Sequence, residues 1–153
     1  MVMAIIGILA TVVVLAINPA RQMATARNTQ RMFDVNSILN AFGQYSVENG
    51  GFFQPKKVNG VDLLAACAVS STPKKLCRPT VPHGTGVGAC GRATVQCVYS
   101  AHLVNAFLSD IPDDPFDDPT SLTVNYLVSS ISPGRFRVDA PGAENSQIIG
   151  AMR

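Results

Sequence analysis

Cys67, Cys77, Cys90 and Cys97 fall within 31 residues, the densest group of reactive side chains in the sequence. A zinc site would need close C-x₂₋₄-C pairs. None of these gaps is that short, even with His83 and His102 nearby. Disulfides in an oxidising compartment fit the low-charge, turn-rich context better. Three pairings are open to four cysteines. The sequential one, Cys67–Cys77 with Cys90–Cys97, closes the shortest loops and is the expectation. On the chain-entropy view each bridge would stabilise its domain by about 2–3 kcal/mol.

Two other constellations look like chemistry at first sight. Gly86 to Gly91 reads G-x-G-x-x-G with Asp110 about 20 residues on, as a dinucleotide fingerprint would. That fingerprint works only between a strand and a helix. Here it follows Pro79 and Pro82 in a cysteine-rich loop, so a flexible loop is expected. The segment IPDDPFDDP carries Asp113, Asp114, Asp117 and Asp118. Clustered hard oxygens suit Ca²⁺, making Asp114, Asp117 and Asp118 the calcium candidates. The Asp–Pro rhythm also initiates turns, and a solvated turn without metal is the expectation.

Catalytic parts are scarce. There is no Trp and only two His, no G-x-S-x-G elbow, and no H-E-x-x-H or P-loop lysine. No enzyme and no cofactor is expected, and His83 and His102 read as loop and surface residues. Lys56-Lys57, Lys74-Lys75 and Arg78 could form a basic patch, with solvated charge as the ordinary reading. A net charge of +2 is too small to make nucleic acid the main partner.

Three regions must position these residues: 1–17, 18–49 and 50–153. In the last, Ala93 to Tyr99 alternates like a strand, and Ser100 to Ser109 reads as a short helix. Val124 to Ile131 and Arg135 to Ala140 read as strands joined by the hairpin signal Ser132-Pro133-Gly134. Gln147 to Met152 could add an edge strand. The expectation is a three- or four-stranded antiparallel sheet packed on a helix, with Phe42, Tyr45, Phe107, Tyr126, Leu127 and Phe136 between them.

Residues 1–17 carry no charge, although 14% of the chain is charged, against about 25% in an ordinary domain. As a helix the run spans roughly 25 Å, short of the roughly 30 Å of a bilayer core. Its Val, Ile and Leu residues favour insertion by a few kcal/mol in total. It begins without a basic flank, which is expected upstream of Met1. A core helix, a cleaved secretory signal with Ala24-Thr25-Ala26 as its site, and a simple one-pass anchor are the competing readings. From Met32 onward, Met32, Val35, Ile38, Leu39, Phe42 and Tyr45 share one helical face. Arg27, Gln30, Arg31, Asp34 and Gln44 fall largely opposite. Pro19 allows a kink, or a first-turn position capped by Asn18. Asn49-Gly50-Gly51 ends the helix. The whole reads as one rod of about 45 residues, some 65 Å long.

AIIGILATVVVLAINPARQMATARNTQRMFDVNSILNAFGQY resembles the N-terminal segment of type IV pilins and type II secretion pseudopilins. The likeness covers residues 4–50 closely and the remainder only in style. The families' processing site, and the glutamate that follows it, would fall before Met1. The resemblance implies an α+β fold: a long N-terminal helix, membrane-inserted in its first half, on a small antiparallel head with a disulfide-rich loop. It implies storage in the cytoplasmic membrane, then assembly into an extracellular homo-oligomeric filament. Ile5, Ile6, Ile8, Leu9, Val12, Val13 and Leu15 would form the assembly helix. A prepilin peptidase, an assembly ATPase and a platform membrane protein are the implied partners. Some pseudopilin heads bind calcium in an Asp-Pro loop. Two alternatives stand beside this: a minor pilin binding DNA or a surface, and a single-pass anchored domain that never polymerises. Arg21, Arg27 and Arg31 after the apolar run would hold the C-terminal side in the cytoplasm. The cysteines point the other way, and the cysteines decide the expectation.

Overall fold

The computed structural model describes residues 1–51, 69–78, 97–98, 100, 102–104 and 106–153, without the side chains of 14–17. Cys67, Cys90, His83, Lys56-Lys57, the 86–91 glycine loop and all of the Ala93–Tyr99 strand but Cys97 and Val98 lie outside these residues.

The expected single rod is two helices, α1 (Val2–Ile17) and α2 (Pro19–Glu48). They meet at Asn18, whose φ of 45° lies in the left-handed region that Asn tolerates better than most residues. Its side chain accepts a hydrogen bond from Arg21 N at 3.3 Å. Pro19 follows as the first helical residue, where its missing N–H costs nothing. The break is therefore made by the capped form of the Asn18-Pro19 pair. No helix among the described residues is long and apolar enough to cross a membrane.

Along α2 the buried positions Ala24, Asn28, Arg31, Val35, Ile38, Phe42 and Tyr45 alternate in steps of four and three. That is one continuous helix face. Two assignments change: Met32 is exposed, and Arg31 is fully buried rather than turned to solvent. The stripe runs through Arg31 because two carboxylates reach it from the sheet side.

The head is a five-stranded mixed sheet rather than a smaller antiparallel one, in the order β2-β1-β3-β4-β5. Its strands are β1 (Lys74–Cys77), β2 (Cys97–Val98), β3 (Thr123–Ser132), β4 (Arg135–Ala140) and β5 (Ile149–Met152). β1 and β2 are parallel, and the other pairs antiparallel. The extra strand is β1: Lys74-Lys75 belongs to a ladder that buries Leu76 and Cys77. β3, β4 and β5 match the expected runs, and the hairpin turns at Pro133-Gly134, where Gly134 takes φ 75°. Ser100 to Ser109 is not a helix in its described part, which is made of turns with a Val104–Leu108 bridge. Tertiary contacts override its propensity, because Ser100 Oγ donates to the Cys77 carbonyl and Leu103 is fully buried.

Val124, Tyr126, Val128, Phe136 and Val138 meet Val35, Ile38, Phe42 and Tyr45 in one core. Phe42 and Phe136 lie 5.6 Å apart between ring centres, and Phe107 packs at the margin. Leu127 is only partly buried, because strand alternation puts it on the opposite face, paired with Asp139. The fold is α+β.

Candidate functional site

Every residue from Met1 to Val13 is exposed. Ile5, Ile6, Ile8, Leu9, Val12 and Val13 are each more than half exposed, between 55% and 66%. They line one broad face of α1, an arc of roughly 160° at about 100° per residue, with Met3, Ala4, Gly7 and Thr11 on the opposite side. Leu15 shares the helix, but its side chain is not among those described. A helix face so broadly apolar is ordinarily buried. Covering these six side chains would be worth on the order of 10 kcal/mol.

Besides the apolar core, a polar hub fixes the first half of α2 to the head. The Arg31 guanidinium grips Asp114 with two bonds, Nε to Oδ2 at 2.6 Å and Nη2 to Oδ1 at 3.0 Å. Its Nη1 donates to Asn28 Oδ1 at 2.9 Å and to Glu144 Oε1 at 3.1 Å. Arg27 holds Glu144 in the same forked way, at 2.7 and 2.6 Å. Asn28 Nδ2 donates to the Glu144 carbonyl and to Gln147 Oε1, each at 2.8 Å. Phe116 lies over both arginines, 4.7 Å from Arg27 and 5.7 Å from Arg31. Gly142 permits the close approach, because a Cβ there would come within 3.0 Å of Asp114 Oδ2.

The electrostatics follow the bonds. The Arg27 hydrogen bond, then those of Arg31, hold Glu144 down at about 2. Burial pushes Asp114 up, but hydrogen bonds from Arg31 and the Phe116 N–H outweigh it, so its pKa is lowered. Asp34 moves the other way. Burial raises it, and Asp114 and Asp113 add to the rise against a 2.8 Å hydrogen bond from the Tyr126 hydroxyl. Removing Arg31 from the buried Arg31–Asp114 pair strands Asp114, at a cost of about 3–5 kcal/mol.

The calcium candidates Asp114, Asp117 and Asp118 are each turned to a protein donor. Asp114 is taken by Arg31, Asp117 Oδ2 accepts from Asn125 N at 3.0 Å, and Asp118 Oδ1 accepts from Thr120 N at 2.8 Å. Among the described residues no three His, Cys, Asp or Glu are grouped to hold a metal ion. Arg78, expected as solvated charge, turns instead to this loop, pairing with Asp113 and donating to the Ser121 carbonyl at 2.8 Å. His102 is half-buried, not on the surface, with its ring 4.6 Å from that of Tyr45, and burial lowers its pKa to about 4.

The disulfide joins Cys77 to Cys97, replacing the sequential pairing. The parallel β1–β2 pair sets Cys97 beside Lys75, which brings it next to Cys77 with 5.3 Å between Cα atoms. Sheet register, not loop length, chose the partner.

The hub was not anticipated from the sequence. Asn28 and Arg31 sit on the same four-and-three spacing as Val35 and Ile38, and that was the available signal. Glu144 and Gln147 offered none. No protein-family model, curated protein or solved structure matches the chain.

Proposed function

We propose that this chain is the structural subunit of a type IV pilus or pseudopilus-like filament, with α1 as its assembly element. The observation that carries the reading is α1 itself: an uncharged helix with every described side chain exposed, attached to a folded head. Copies that pack their α1 helices together bury Ile5, Ile6, Ile8, Leu9, Val12 and Val13 without unfolding anything. Transfer of α1 from lipid to the filament interior exchanges one apolar surround for another. In this account the monomer waits in the cytoplasmic membrane, the head lies outside the cytoplasm, and the Cys77–Cys97 disulfide belongs to that oxidising side. A prepilin peptidase, an assembly ATPase and a platform membrane protein complete the machine by resemblance.

Val12→Asp tests the mechanism. A charge there costs about 2.5–3.5 kcal/mol in an apolar surround, so filaments should be lost while the head stays folded. Normal filaments from Val12→Asp protein, seen by negative-stain microscopy, would contradict the proposal. Full-length wild-type chain that inserts into membranes yet never associates would favour a single-pass anchored domain.

A further inference from the structure

The head has two unlike ends along α2. At the end nearer α1, Phe116 is 67% exposed on the acidic loop that Arg31 and Arg27 hold. Around it stand Asp113, Asp117 and Asp118, with Arg78 as the cation that pairs with two of them. At the other end a groove of about 530 Å³ opens among the last turns of α2, Phe107, Gly134 and Arg153. Its apolar lining includes Val47, which is 84% exposed. Arg153 reaches across to Asn40 Oδ1 at 2.6 Å, and Arg135 is exposed beside Gly134. Glu48 is the acid in the lining, against these two arginines.

A loop with more acids than arginines therefore lies at one end of the head, and at the other a groove of mixed lining, with Val47 and Phe107 as its large apolar side chains and Arg153 and Arg135 at its margin. Roughly 25 Å of α2 separates Arg27 and Arg31, beneath Phe116, from Val47. One copy cannot bring its own two patches together. Complementary patches at opposite ends of a subunit make a head-to-tail contact, which leaves both outer ends open and extends without limit unless it closes into a ring.

We infer that Phe116 of one copy seats beside Val47 in the groove of the next, with the acidic loop facing Arg153 and Arg135. The occupant is a second copy of this chain, and the inference rests on the filament reading, to which it adds a contact between heads. The charges set register and orientation, and the aromatic ring supplies the buried anchor.

The test uses the full chain carrying both Pro119→Cys and Gln44→Cys, two exposed positions, one on the loop of Phe116 and one a helical turn from Val47, which leave the anchoring ring and the groove's valine in place. After detergent removal a bis-maleimide shorter than the gap within one copy is added, and products are separated on a denaturing gel. Each single variant and a Val12→Cys variant run alongside. The expected result is a ladder of trimers and longer species from the double variant. Each single head variant should give at least tenfold less cross-linked product, and Val12→Cys should give dimers. Val12→Cys dimers with no ladder from the double variant would overturn the head contact and leave the filament reading standing. A ladder without Val12→Cys dimers would uphold the head contact and overturn assembly through α1. Dimers from a single head variant would mean a closed symmetric pair, and no product from any variant would mean that copies do not associate. Either result overturns the inference.

Discussion

α1 and α2 adjoin across a single residue and treat their side chains in opposite ways. α1 carries no charged side chain and leaves every described side chain in the open, while α2 buries three polar residues, Asn28, Arg31 and Ser46, in the same stripe as Ile38 and Phe42. Composition alone would have predicted the reverse. The difference is one of available partners. α2 has a sheet beneath it whose loops bring Asp114 and Glu144 to its arginine, so a charge can be buried with its bonds made. Among the described residues nothing covers α1 from Met1 to Val13. In the filament account its partner is another α1.

The sharpest way to break this comparison is to perturb each helix and read the stability of the head. Arg31→Met should lower the free energy of unfolding by about 3–5 kcal/mol, because Asp114 is left buried and unpaired. Leu9→Gln, an equivalent insult to α1, should change it by less than about 0.5 kcal/mol. Urea unfolding in detergent followed by tyrosine fluorescence measures both. Equal losses would mean that α1 belongs to the head's own core.

A smaller effect sharpens the comparison through pH. Glu144 has a folded pKa of about 2 against an ordinary 4.5. Its contribution is therefore fully present above pH 4.5 and is lost as the pH falls towards 2. Asp114, also lowered, acts in the same direction. Asp34, raised by burial, opposes them, since it favours the fold more once it is protonated. Glu144→Gln should flatten the decline in urea midpoint between about pH 5 and 2. An unchanged slope would show that the hub does not govern acid stability.

Much of this was legible in the residues, and what was not has a common cause. The apolar run, the Asn18-Pro19 boundary, the Pro133-Gly134 hairpin and strands β3 to β5 are all signalled by neighbours in sequence. What escaped depends on distant partners. Arg31 looks like a surface arginine until Asp114 and Glu144 arrive. Lys74-Lys75 looks like a charge patch until β3 pairs with it, and Cys77 finds Cys97 through a parallel strand that no loop-length argument favours. The apolar run from Ile5 to Val13 was readable because composition alone marks it, and the structure adds that these side chains are exposed.

The most direct test of the central claim is analytical ultracentrifugation of the purified full-length chain before and after detergent is removed. The account predicts detergent-bound monomers that sediment as long polymers once detergent is gone, with α1 protected from protease only in the polymer. A water-soluble monomer with α1 already protected, packed against its own head, would contradict it.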